Sequence, residues 1–145
     1  MCLVFCVWKQ VRMADHLKIA GKIISGTGQG AVFTQLEWVK EQCMQKLGFA
    51  PWPGTLNLEI SADPADVIEE LKERKGIELI SPDANYCSGH VLPVSIQSLQ
   101  AAIVIPAEDV RVHAKNIIEI IAPEMLKTAL EVNDGDWVTL TINDG

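Results

Sequence analysis

Short runs of β-branched and other apolar residues, none long enough for more than one strand, recur along this chain and set its fold class. Ile77 to Ile80, Val91 to Ile96, Ala101 to Ile105, Ile117 to Ile121 and Trp137 to Ile142 each read as a strand. Turn signals separate them, among them Ser81-Pro-Asp-Ala-Asn85, Gln97-Ser98, Pro106 and Asn133-Asp-Gly-Asp136. Upstream, Leu17, Ile19, Ile23 and Ile24 mark a further strand or strand pair, and Leu56 to Ile60 alternates apolar with polar residues. Helical signals are fewer. Thr34 and Glu37 predict a capping box, followed by Leu36, Val39, Cys43 and Leu47 at helical spacing and Gly48 as a stop. Asp63 and Pro64 open a second helix with Val67 and Leu71 on one face, closed by Gly76. Pro123 opens a third, through Leu130, with Met125, Leu126 and Ala129 as its buried side. Strands outnumber helices, so a mainly β chain with peripheral helices (α+β), a compact barrel, fits better than a sandwich or a doubly wound sheet.

The 145 residues suffice for one domain with a real core, and 48% hydrophobic against 21% charged residues excludes a disordered chain. A formal net charge of −7 disfavours nucleic acid or an anionic membrane as partner, so any phosphate must be held locally. The cysteines at 2, 6, 43 and 87 form no CxxC pair, and the histidines at 16, 90 and 113 lack zinc-ligand spacing. Reduced thiols in a cytoplasmic monomer are the expectation. Residues 1–13 read as an extension, with an extra strand as the competing reading, and residues 14–145 as the single domain. The apolar start lacks the basic flank and cleavage site of a signal peptide and falls short of the roughly 20 residues that span a bilayer.

Three features carry chemistry. In Pro51-Trp-Pro-Gly-Thr-Leu-Asn-Leu-Glu-Ile60 a tight Pro-Gly turn runs into a strand, which puts Thr55 and Asn57 on one face and Leu56 and Leu58 on the other. A hydroxyl and an amide oxygen side by side suit a hard cation, and the same alternation suits any half-exposed strand. Gly26-Thr-Gly-Gln-Gly-Ala31 is rich enough in glycine to wrap phosphate oxygens with backbone N–H groups. Gly26, Gly28 and Ala31 also satisfy G-x-G-x-x-A, yet the acidic strand end that a dinucleotide fold requires about 20 residues later is missing, and no βαβ alternation follows. Glu119 stands among four isoleucines: either an acid set apart for proton transfer, or an edge residue that reaches water.

Taken in order, Gly21-Lys-Ile-Ile-Ser-Gly-Thr-Gly-Gln-Gly30, Leu47-Gly-Phe-Ala-Pro-Trp-Pro-Gly-Thr-Leu-Asn57, Ile103-Val-Ile-Pro106, Glu119-Ile-Ile-Ala-Pro123 and Asp134-Gly-Asp136 resemble the archaeal-type CTP-dependent riboflavin kinases, from about Ile19 to Ile142. The resemblance implies a small six-stranded cradle-loop barrel that transfers the terminal phosphate of CTP to the 5′-hydroxyl of riboflavin, giving FMN and CDP. It implies Mg2+ on Thr55 and Asn57. It implies nucleotide contacts from Thr27, Gly28, Gln29, Gly30, Ala31 and Val32, and again from Glu124, Met125, Leu126 and Lys127. Glu119 falls beside the flavin, as the group that orients or deprotonates its hydroxyl.

Two departures mark the chain. Gln29 stands where the family usually carries Glu, and neither Ala31 nor Val32 is itself the aromatic often found near there. The segment from Glu108 to Asn116 lacks the hydroxyl-rich character that contacts flavin, and His113 is the substitute contact. The competing reading is a non-catalytic barrel of the same family that binds nucleotide or flavin as a regulator, without the helix-turn-helix or basic face that DNA binding would need.

Overall fold

A computed structural model describes residues 16–26, 29–60, 71, 74, 76–82, 89–106 and 117–143. The elements are β1 (His16–Ile24), α1 (Gln29–Thr34), α2 (Glu37–Lys46), β2 (Leu56–Ile60), β3 (Ile77–Leu79), β4 (Gly89–Ile96), β5 (Leu99–Pro106), β6 (Ile117–Ile121), α3 (Leu126–Leu130) and β7 (Trp137–Asn143). The sheet order is β3-β4-β5-β6-β2-β1-β7, and a second pairing of β4 with β7 joins its ends. Six strands thereby close into an antiparallel barrel with β3 outside the ring, as the sequence led us to expect. β4 changes partner along one edge, from β3 through Val91 to β7 at Val94. Pro93, which has no N–H to give, lies between the two, where a strand tolerates proline.

Strand alternation divides the apolar residues between two layers. Leu56, Leu58 and Ile60 of β2 point inward with Ile19, Ile23, Ile103, Ile118, Ile120, Leu140 and Ile142, and together they fill the barrel. A second cluster lies outside the wall, where Val39, Cys43 and Phe49 cover Leu79, Val91, Ala102 and Ile121. β5 at Ala102 and β6 at Ile121 are therefore apolar on both faces, which explains unbroken runs such as Ala101-Ala102-Ile103 where alternation would be expected of a one-sided strand. Burial raises the Cys43 thiol to about 11, so this cysteine is packing rather than chemistry.

The structure corrects two helical boundaries. The Thr34 capping box does not form: α1 ends at Thr34, and α2 begins at Glu37 with Leu36 at its N-cap and no side-chain cap. Thr34 is instead fully buried, and its hydroxyl accepts the Gly54 N–H at 2.7 Å while donating to the Ala31 carbonyl at 3.3 Å. Gly48 does follow the C-cap residue Leu47, and both donate to the Cys43 carbonyl. The last helix starts at Leu126 rather than Pro123, because the Ala122 carbonyl is already committed to the Trp52 N–H at 2.7 Å and holds the chain extended. Its inward residues are Leu126 and Leu130, whereas Met125, 46% accessible, and Ala129 face outward. Asp63, Pro64 and Val67 of the other expected helix, and residues 1–13, lie outside the described residues; Leu71 from that helix is helical and belongs to the barrel core.

Thr34 links α1 to the turn before β2, so its hydroxyl sets where that turn sits. Thr34→Val keeps the shape and leaves the Gly54 N–H without this acceptor. The expected cost is about 1–3 kcal/mol in the free energy of unfolding, measured by urea denaturation.

Candidate active site

The Pro51–Thr55 segment is anchored at two points, by the Trp52 N–H on Ala122 and the Gly54 N–H on Thr34. Gly54 has φ +115°, with open space where a Cβ would be, so conformation rather than crowding requires glycine there. The chain leaves this turn into β2, whose neighbours are β1 and β6. Asn57 is thereby placed between Ile24 of β1 and Glu119 of β6. Glu119 sits on an interior strand rather than at an edge, half-buried on the outer face, flanked along its strand by Ile117 and Ile121. Its Oε1 accepts the Thr55 Oγ1 hydroxyl at 3.0 Å.

The glycine-rich segment begins directly over this group. A Cβ on Gly26 would come within 2.9 Å of the Asn57 Cγ, so any side chain at position 26 would push the Asn57 amide out of its present place. Beyond it, Gln29 and Gly30 open α1, Ala31 is half-buried and Val32 is 62% accessible. Thr27, Gly28 and His113 lie outside the described residues.

On the other side, the turn before β7 reaches across to the end of β1. The Gly135 N–H donates to the Ile23 carbonyl at 2.7 Å and the Ile23 N–H to the Asp136 carbonyl at 2.8 Å. Asp134 is thus brought between Ser25, which donates to its Oδ2 at 2.6 Å, and Lys127, whose Nζ lies 2.6 Å from its Oδ1. Lys127 belongs to α3, and with Glu124, Met125, Trp52, Pro53 and Thr55 it lines an open cleft of about 170 Å³.

The donor set has a plain chemical meaning. Thr55, Asn57 and Glu119 offer oxygen only, the preference of a hard divalent cation such as Mg2+. Among the described residues there is no cluster of three or more His, Cys, Asp or Glu side chains that could hold a metal ion. Lys127 and the bare backbone at Gly26 add the features that suit phosphate oxygens. Of the residues expected from the sequence, Thr55, Asn57 and Glu119 form one patch, and Thr55 also shares a cleft with Glu124, Met125, Leu126 and Lys127. Three others escaped sequence reasoning: Thr34, Trp52 and Asp134. Asp134 was legible as a turn residue and as part of the Asp134-Gly-Asp136 block, but its tie to Ser25, 109 positions away, was not.

The Lys127 hydrogen bond, then that from Ser25, holds the Asp134 carboxyl below its ordinary value of 3.8. A lowered acid stabilises the fold above its unfolded value and loses that contribution as pH falls through the folded one, so the Ser25–Asp134–Lys127 link persists at neutral pH and loosens only under acid. An NMR titration of the Asp134 carboxyl carbon is expected to give a midpoint below 3.8, moved upward in Lys127→Ala.

Comparison with known proteins matches residues 23–142 to the family model CTP-dep_RFKase, described as Domain of unknown function DUF120. The chain is 30% identical over 131 residues to a riboflavin kinase of Methanosarcina acetivorans, covering 88% of this chain and 54% of that protein. It is 35% identical over 130 residues to a riboflavin kinase of Archaeoglobus fulgidus, at 87% and 54% coverage, and so spans about half the length of these two relatives. Against a riboflavin kinase of Saccharolobus solfataricus the identity is 36% over 132 residues, at 87% of this chain and 74% of the relative. With the family model matched along most of the barrel and relatives of this identity, the chain belongs to the archaeal-type CTP-dependent riboflavin kinase family.

Proposed function

We propose that this protein is a phosphotransferase that moves the terminal phosphate of CTP to the 5′-hydroxyl of riboflavin, giving FMN and CDP, with Mg2+ as its cation. The observation that carries the reading is the patch in which Gly26 adjoins Asn57, Asn57 pairs with Glu119 and Glu119 holds Thr55, itself part of the cleft that Lys127 lines. Relatives named riboflavin kinase support the acceptor, and the family's name supports CTP as donor.

Phosphoryl transfer asks little covalent chemistry of a protein; alignment of donor with acceptor and neutralisation of developing charge supply most of the rate. Mg2+, when bound, supplies the charge that offsets the phosphates in a protein of net charge −7. Thr55 and Asn57 hold it. Residues 27–32 receive the nucleotide's phosphates on backbone N–H groups, and residues 124–127 contact the nucleotide from the facing side of the cleft, with the Lys127 ammonium directed to its anionic part. Glu119 has a second oxygen, Oε2, to orient the riboflavin hydroxyl or accept its proton, and His113 contacts the flavin. The protein works as a cytoplasmic monomer. No described helix is long and apolar enough to cross a membrane.

Incubation of the purified protein with riboflavin, Mg2+ and either CTP or ATP is expected to yield FMN with CTP. Absence of FMN with both nucleotides removes the kinase reading in favour of a non-catalytic binding barrel; FMN with ATP alone removes CTP as donor. Asn57→Ala is expected to lower kcat by on the order of 10²-fold or more without a loss of thermal stability, because the side chain is half-exposed and lies on the outer face.

A further inference from the structure

Thr55 and Glu119 differ in how firmly the fold holds them. Thr55 precedes β2: the ladder to β6 begins at Leu56, paired with Ile120, so the threonine sits between a Pro-Gly turn and the first paired residue. Glu119 is at the centre of β6, paired through Asn57 on one side and Val104 on the other. The 3.0 Å hydrogen bond therefore ties a side chain outside the strand ladder to one whose residue is paired on both sides.

Its direction matters. A carboxylate accepts and a hydroxyl has one proton, so Thr55 donates and Glu119 receives. With that proton spent, both lone pairs of Oγ1 are available to a cation, and rotation about the C–O bond is arrested. Asn57 lies next to Glu119 in the register, so the arrested hydroxyl and the amide belong to the same small patch of the barrel wall.

We propose that Glu119 is a positioning residue for cation binding, with Oε1 holding the Thr55 hydroxyl so that its lone pairs face the site shared with Asn57. This rests on the reading of Thr55 and Asn57 as cation ligands, and it divides the carboxylate between two tasks, Oε1 for Thr55 and Oε2 for the acceptor hydroxyl. Outer partners of this kind govern metal affinity by about 10–100-fold.

The test measures Mn2+ binding by electron paramagnetic resonance in the presence of CTP and the absence of riboflavin, so that no turnover contributes. Glu119→Ala is expected to weaken Mn2+ binding about tenfold or more. Glu119→Gln, whose amide oxygen accepts the same hydrogen bond, is expected to bind close to wild type. In a Thr55→Val background, Glu119→Ala is expected to add no further loss. Unchanged affinity in Glu119→Ala overturns the proposal alone. So does a Glu119→Gln as weak as Glu119→Ala, which would make the charge itself a direct ligand, or losses that add in the double variant. Failure of Mn2+ to bind the wild-type protein with CTP overturns the cation reading and the proposal with it. Thermal melting without metal reports whether each variant is folded, and Glu119→Leu replaces Glu119→Ala if the latter is not.

Discussion

Pairing of Val94 and Ser95 with Ile142 and Thr141 closes the sheet, and the geometry of the site follows from that closure. Closing a sheet into a ring leaves its strands two distinct faces, one filled with side chains and one turned outward. β2 lies in the ring between β1 and β6 with both edges paired. Every residue of β2 is therefore assigned to a face by strict alternation, and a slip of one residue would exchange Asn57 for Leu58. The leucines of this strand are the reason that Asn57 points where it does.

What covers the outer face then decides what it can do. Around Ile121 and Ala102 it is sealed by α2, with Val39, Cys43 and Phe49 packed against the wall. Around Asn57 and Glu119 the segment that crosses it among the described residues is the glycine-rich one at Gly26, where an added Cβ would run into the Asn57 amide. One wall thus serves as a buried surface for a helix and presents a polar patch at Asn57 and Glu119. The change from one to the other falls within β6, between Glu119 and Ile121.

Several short contacts bring distant segments to this place. Thr34 ties α1 to the turn at Gly54, Trp52 ties that turn to Ala122, and Asp134 joins the end of β1 to Lys127 of α3. These bonds are mostly exposed or half-exposed, so they contribute to arrangement more than to stability. The barrel core supplies the stability, and the polar ties place the loops upon it.

Much of this was determined by sequence alone. Period-two alternation in Leu56 to Ile60 and short apolar runs bounded by turns specify a β barrel with peripheral helices, and the order of the glycine-rich, Pro-Gly-Thr-Leu-Asn and Glu-Ile-Ile-Ala-Pro blocks identifies the family. Local patterns are legible because strand periodicity and turn chemistry are properties of neighbouring residues. Partners are not, because a hydrogen bond between Ser25 and Asp134 or Thr55 and Glu119 exists only once the ring has brought distant strands side by side. The same limit explains the misplaced helix starts: Thr34 has the composition of a cap, but tertiary contact with Gly54 claimed its hydroxyl, and the Ala122 carbonyl was claimed by Trp52. Sequence put forward candidate residues for a cation and a nucleotide; tertiary structure decided which of them lie together, because closure of the barrel, and not proximity along the chain, sets their distances.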